Sequence, residues 1–547
     1  MSATTTVSSD QRVEDEKTTP VTNLEAAALV VEPKEEEYPH GLQLVFVVLG
    51  ILLCLFLAAL DMTIVATAIP KITDEFRAID QVGWYGSAFF LTLAAFQSFW
   101  GKLYRYCHLK YTYLAAGVVF EVGSLVCATA KDSTALIIGR AVTGIGGAGL
   151  YCGTYTIIAF IVPPALRARY TGLVGVSYAV ASVAGPLIGG VFTDKISWRW
   201  CFYINLPIGG LSLALILLSF KPPAAARPVP ARLSEILLQL DLLGVALAVV
   251  AMVCFFLVTQ WAGASRPWDS ASVIACLVVS VVASGLFIGV QVWQGERASL
   301  VPRILSKRVI YGVAAFAFFQ NGMNFFFTYY IPIYFQSIDN YSAAQSGIYN
   351  LPLIFGACFF AIISGFLITI YGYYTVYMAA GSAACTVAAG LLYTMGMHTP
   401  LARPLGYQML LGAGQGLAIQ VPVIVAQAMS APEDISASTA IILFFQMTGG
   451  AVCISAGQSA FINRLLYYLH SIAPGIDAAR IVTIGASDLR AQVSAADIDA
   501  VLQAYLGALK DTFALGVGFA GCAFLASFIA PIRNLSNGSK VNVMAAL

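Results

Sequence analysis

Charge is scarce in this sequence. Of 547 residues only 10% are Asp, Glu, Lys or Arg, whereas a water-exposed globule carries about 25%. An ordinary soluble domain is thereby excluded, because most of the chain has no means of solvating its surface. With 59% hydrophobic residues and a mean hydropathy of +0.81, that surface is expected to face lipid. A basic excess is also missing, since 29 Lys and Arg meet 28 Asp and Glu. No face exists to neutralise phosphates, so no nucleic-acid partner is expected.

Four histidines, His40, His108, His398 and His470, are scattered and form no HExxH motif or cluster. A zinc or iron centre of the usual kind is therefore not expected, and no metal or other cofactor is assigned. The eleven cysteines form no CxxC pair, which argues against a disulfide framework. No phosphate-cradling G-x-x-x-x-G-K-[ST] loop is present, so the chain is not read as an ATP-driven motor. A membrane-embedded enzyme such as an acyltransferase or desaturase is a further alternative. It would need clustered histidines or a nucleophile–base pair, and neither is found.

What is present is long apolar runs. A helix needs about 20 apolar residues to cross a bilayer. Cutting the chain at charges, prolines and turn residues leaves fourteen such segments, near 42–69, 82–100, 111–129, 134–162, 171–192, 201–220, 242–260, 271–292, 310–335, 347–370, 374–395, 405–429, 438–460 and 512–530. The expected organisation is a disordered acidic tail (1–40), a six-helix bundle (41–220), a linker with two inserted helices (221–309), a second six-helix bundle (310–531) and a short tail (532–547). The acidic tail holds 9 acids and 3 bases, too polar to offset its own ordering entropy. If both termini are cytoplasmic, the short inner loops and the last tail carry 14 Lys and Arg against 7 outside. The positive-inside rule favours that orientation, with 461–511 as an extracellular loop whose amphipathic stretch 498–509 lies on the membrane surface or caps the protein.

Three charges stand inside spans: Asp61, Glu121 and Arg140. Such charges are costly in hydrocarbon and are functional candidates by default. Asp61 and Arg140 lie at similar depth, so a buried pair is expected, serving either assembly alone or reversible proton uptake. Glu121 is read either as a neutral helix contact or as a second coupling group. In the fifth span Ala181, Gly185 and Gly189 recur every fourth residue, with Pro186 and Gly190 alongside; the fourth span has Gly144 and Gly147. Such bare faces let helices approach closely, for packing or for sliding, and Pro186 loosens its helix locally. At Gly189, Leu is expected to overpack the contact and Ala to cost far less.

These strings resemble the major facilitator superfamily, specifically its fungal 14-span drug:proton antiporters, which include efflux pumps for secondary-metabolite toxins. L-D-M-T-I-V-A-T-A-I-P (60–70), R-A-V-T-G-I-G-G-A (140–148), A-G-P-L-I-G-G (184–190) and W-R-W-C-F-Y-I-N-L-P-I-G (198–209) carry the likeness, as do P-I-Y-F-Q (332–336) and G-A-G-Q-G-L (412–417). There are departures. Thr143 replaces the usual Gln, Ala181 a Gly, and the loop motif G-x-L-a-D-r-x-G-r-k reads G-K-L-Y-R-Y-C-H-L-K, with Arg105 in the place of the acid and His108 in that of the second glycine. The resemblance implies an all-α polytopic carrier that exports a small amphipathic or apolar compound (a drug, toxin or secondary metabolite), with Arg140 linked to proton coupling. An importer of a siderophore or amino acid is the alternative on the same fold.

Substrate is expected between the halves, where polar and aromatic side chains interrupt apolar helices: Gln97, Gln320, Asn321, Asn324, Tyr329, Tyr330, Gln415 and Gln446. About half are expected to face the cavity, because polar groups in lipid need partners with or without a ligand. The expected partners are a small-molecule substrate, protons and the lipid bilayer. The chain is expected to act as a monomer, multi-pass in the cell membrane or in a vacuolar or vesicular membrane.

Overall fold

The computed structural model describes residues 38–76, 82–223, 226–263, 265–484 and 489–532. All but the last three residues of the expected acidic tail, and the end of the chain after 532, lie outside the described residues. Within them the chain is helical, and the one β feature is an isolated bridge between Ala262 and Arg266. The first half contains α1 (Gly41–Phe76), α2 (Val82–Ala95), α3 (Gln97–Tyr106), α4 (Leu109–Ala128), α5 (Ser133–Ile161), α6 (Pro164–Lys195), the single turn α7 (Trp200–Tyr203) and α8 (Asn205–Ser219). The insertion supplies α9 (Leu233–Gln239), α10 (Leu242–Trp261), α11 (Ala271–Gln294) and α12 (Pro302–Leu305). The second half runs through α13 (Arg308–Ser337), α14 (Ala343–Tyr349), α15 (Leu351–Tyr371), α16 (Tyr374–Tyr393), α17 (Ala402–Ala418) and α18 (Val421–Ala428). It ends with α19 (Ile435–Ile472), α20 (Ala478–Thr483), α21 (Leu489–Gln492) and α22 (Ile498–Ala526).

Among the described residues, thirteen helical stretches are long and apolar enough to cross a membrane. The expected second span is not among them, because its helix is interrupted at Phe96 between α2 and α3. Hydrogen bonds bridge the interruption, from Phe96 N–H to Thr92 O (3.0 Å) and from Trp100 N–H to Phe96 O (3.1 Å), so α2 and α3 continue one another. Helix starts follow local chemistry: Asp132 accepts from Ala135 N–H (2.8 Å) ahead of α5, and Ser342 with Gln345 makes a reciprocal capping box on α14. Gly372, at φ +71°, ends α15 in the left-handed conformation that favours glycine.

Two groups of helices form. In the first, α1 packs on α6 and α8, and α5 on α2 and α4; in the second, α13 packs on α19 and α22, and α17 on α15 and α16. The groups meet where α6 crosses α15 and where α19 touches α2, α3 and α5. From the insertion, α10 lies against both α2 and α19, while α11 packs mainly on α10 and turns Leu277, Val281 and Ile288 outward. An outward apolar face of that kind suits lipid.

The segment 461–511 departs from the expected loop. The helix α19 continues to Ile472, α22 already begins at Ile498, and only 473–497 connects them. The expected surface stretch 498–509 is the first part of α22. Its apolar side, Val501, Leu502, Tyr505, Ala508 and Leu509, is buried. The Phe461 and Tyr505 rings meet edge-on at 5.6 Å, and Tyr468 donates to Asp511 Oδ2 (3.1 Å). The amphipathic face is covered by a neighbouring helix of the same chain instead of by the membrane surface.

Candidate functional site

Two of the buried charges meet in the first half. An Arg140 guanidinium nitrogen, on α5, donates to Asp61 Oδ2, on α1, and both side chains are completely buried. Arg140 Nε donates to Tyr85 O (2.8 Å), and its guanidinium lies over the Phe89 ring at 4.6 Å. The second carboxylate oxygen of Asp61 faces Asn205 Nδ2 (3.4 Å), which also donates to Ser124 Oγ (3.1 Å). Asn205 belongs to the W-R-W-C-F-Y-I-N string, yet sequence reasoning assigned it no role; an amide set in the last apolar span of the half was the signal. Glu121, near this pair, makes no hydrogen bond to it among the described contacts. Its carboxylate packs against Gly209 of α8, and Oε2 has no hydrogen-bond partner among the described residues.

The same string also holds Glu75 of α1. Trp198 Nε1 donates to Glu75 Oε2 (2.7 Å), and Arg199 reaches both oxygens of Glu75 (2.8 and 3.1 Å) and Ala130 O (3.0 Å). The hydrogen bond from Arg199 holds the Glu75 carboxyl below the usual carboxylate range.

The glycine faces differ in how much they matter. A Cβ on Gly185 would lie 2.0 Å from Thr63 Oγ1, and one on Gly189 would lie 2.4 Å from Thr67 Oγ1 and 2.8 Å from Ile64 O, so α1 and α6 cross at backbone distance. Gly144 is as tight, 2.4 Å from Phe89 O, whereas Gly147 meets only side-chain atoms at 3.3 Å or more. Gly190 corrects the expectation, because nothing lies within 4 Å of its Cβ position. At Gly189 even Ala carries a cost, since the opposing atoms include the backbone oxygen of Ile64. Pro186 sits within α6 and one turn after Ser182, which lines the cavity described next.

Between the two groups lies a cavity of about 100 Å³. Asn321, Asn324, Gln415 and Gln446 line it, as expected. The other four candidates do not. Along α13, Asn321, Asn324 and Thr328 share one helix face, which places Tyr330 in an aromatic cluster with Phe326 and Phe461, while Tyr329 is half exposed and off the cavity wall. Gln320, also off that face, turns to Cys385 Sγ (3.6 Å), and Gln97 is buried elsewhere without a partner among the described residues. Sequence reasoning missed Tyr151, Tyr155 and Tyr178 and, from the second half, Gln420. Gln420 stands at the break between α17 and α18, two residues before Pro422, and that interrupted helix was the available signal.

No described residue lining the cavity is Asp, Glu, Lys, Arg or His. The polar groups are amides and hydroxyls, several of them bonded across the wall: Asn321 Nδ2 to Gln446 O (2.7 Å), Gln446 Nε2 to Ile419 O (3.1 Å) and Tyr155 Oη to Gln420 Oε1 (2.8 Å). Such a lining favours an uncharged guest. Beyond Tyr155, toward the end that holds Lys102 and Arg105, the halves are shut. Gln427 Nε2 donates to Tyr155 O (3.0 Å), and a Cβ on Gly365 would lie 2.7 Å from Ala168 O. Drug-sized pockets measure about 300–1,000 Å³, so a guest of that size needs the halves to part.

The profile of the Major Facilitator Superfamily matches residues 51–454. The MFS-type transporter thnB of Trichoderma harzianum is 47% identical over 496 residues, covering 91% of this chain and 86% of that protein. The efflux pump bfoC of Aspergillus brasiliensis is 42% identical over 497 residues, covering 91% and 88%. Among solved structures, the proton:xylose symporter XylE aligns with a TM-score of 0.58 at 11% identity, over 91% of this chain and 98% of that one. The human organic anion transporter MFSD10 aligns at 0.56 and 14% identity, over 89% and 99%. At such identities the structural likeness is one of fold, and it agrees with the sequence relatives. The chain is a multi-pass membrane transporter belonging to the Major Facilitator Superfamily.

Proposed function

We propose that this transporter exports a small, uncharged, amphipathic or apolar compound (a drug, toxin or secondary metabolite) in exchange for protons, by rocking two bundles (41–220 and 310–531) about the cavity between them. The observation that carries this reading is a cavity formed by both halves, in which no described lining residue is charged, together with a fully buried Asp61–Arg140 pair. Relatives named as efflux pumps favour export over import of a siderophore or amino acid. Gly144, Gly185 and Gly189, with Pro186 beside them, act as close-approach surfaces inside the first bundle along which its helices slide during rocking, whereas Gly147, which meets only side chains, and Gly190, which meets nothing, are left out.

Coupling follows from the cost of isolated charge. Separating Asp61 from Arg140 leaves each alone in an apolar site, and proton uptake by the carboxylate removes one of those charges. Motion and protonation are thereby linked. Glu121, near the same cluster, serves as the second carboxylate. The protein works as a monomer with both termini in the cytoplasm, in the cell membrane or a vacuolar or vesicular one. The test is transport of uncharged fluorescent compounds in proteoliposomes under an imposed pH gradient. Accumulation driven by that gradient and abolished by Asp61→Asn is the expected result, and import driven by the same gradient would reverse the direction assigned.

A further inference from the structure

The loop motif whose acid is replaced by Arg105 has a partner of opposite sign elsewhere. Arg105 Nη1 lies 3.3 Å from Asp434 Oδ1, at the start of α19 in the other half. Asp434 is buried and is also held by both guanidinium nitrogens of Arg303, on α12 (2.9 and 3.1 Å). Arg303 in turn holds Glu296, in the 3-10 turn Gly295–Arg297 after α11 (2.8 and 3.2 Å). The backbone carbonyl of Glu296 accepts from Lys102 Nζ, on α3 (2.7 Å). Lys102 also donates to Gln239 Oε1 on α9 (3.3 Å), and Val229 N–H donates to Arg105 O (3.0 Å). An unbroken series of polar contacts thus leads from the first half through the insertion to the second half, at the end where the cavity is shut. Beneath it, a Cβ on Gly101 would lie 2.4 Å from Ala440 Cβ and 3.2 Å from Ser436 O, so α3 and α19 touch directly.

We infer that the insertion is a strap holding the two bundles together at this end, with Asp434 as its buckle, and that it parts from α3 whenever the cavity opens there. The parting line follows from bond strength. Arg303 grips Asp434 and Glu296 with paired, charge-assisted bonds and runs directly into α13, so that side of the strap travels with the second half. The contacts to α3 are single instead of paired: two bonds from Lys102 to uncharged acceptors, one backbone bond from Val229 N–H to Arg105 O, and one longer approach of Arg105 to Asp434. Two extra helices, which a pair of six-helix bundles does not require, thereby acquire a purpose, since α10 bridges α2 and α19 within the membrane while the ionic strap joins the halves at the surface.

This inference rests on the rocking motion proposed above, but its readout needs no substrate and so can fail independently of it. Amide hydrogen exchange on the full-length protein in nanodiscs would compare segments 164–172 and 361–371, at the strapped end, with 185–193 and 351–356, at the far ends of the same helices. Arg303→Gln and Asp434→Asn should raise exchange at the strapped end by about two- to fivefold and leave the far ends unchanged. Arg303→Lys, which keeps the charge and loses the fork, should fall between. Raising salt to ~1 M should loosen the strapped end of the wild type in the same way, because Arg303 is half exposed. Unchanged exchange in both variants, or an equal rise at both ends, would overturn the strap. Should the variants fail to fold, a wild type whose strapped end does not respond to salt overturns it equally.

Discussion

Arg140 and Asp61, 79 residues apart in sequence, meet as a fully buried ion pair joining α5 to α1. Removing one partner leaves the other charged without compensation, at a cost of about 3–5 kcal/mol, whereas replacing both with apolar residues is often close to neutral. Asp61→Leu and Arg140→Leu should each lower the melting temperature of the detergent-solubilised protein more than the double variant does. The double variant should fold yet show no pH-driven transport. Retained pH-driven accumulation would reduce the pair to an assembly contact and move attention to Glu121.

Adjacent glycines in α6 should behave oppositely. Gly189→Ala places its methyl group against Ile64 O and Thr67 Oγ1, and overpacking of this kind costs about 1–3 kcal/mol. Gly190→Ala meets nothing and should match the wild type in both stability and transport. Equal melting temperatures for the two variants would show that α1 and α6 do not cross as closely as described.

The hydrogen bond from Tyr155 to Gln420 joins the halves across the cavity. A double-mutant cycle with Tyr155→Phe and Gln420→Leu should return a coupling energy of about 1 kcal/mol in thermal stability. A coupling of zero means that the contact contributes nothing to holding the halves together.

Lys102 provides a pH test outside the membrane spans. Burial, with Arg105 nearby, pushes its ammonium down from 10.5 to about 8, while Glu296, Asp241 and Asp434 oppose the shift. Between those two values the folded state binds fewer protons than the unfolded state, so stability should rise with pH from about 8 toward 10.5 and be lowest below the window. Melting curves across that range should show the rise in the wild type and a flatter profile in Lys102→Met. A parallel rise in both would assign it to other groups.

The sequence by itself determined that this is a polytopic helical membrane protein, because scarcity of charge and runs of about 20 apolar residues are local properties that survive without any knowledge of packing. It also singled out Asp61 and Arg140, since charge in hydrocarbon is conspicuous wherever the helix turns. Helix phase was not legible in the same way. A spanning helix is apolar on its lipid side and its protein side alike, so hydropathy does not say which residues look inward. Only packing against α19 and α22 decided that Asn321 and Asn324 line the cavity while Tyr329 does not, and only the crossing with α1 separated Gly189 from Gly190. The second partner of Asp61, Asn205, and the bridge from Lys102 to Asp434 likewise belong to the tertiary structure, because each joins residues from spans that nothing in the sequence order places side by side.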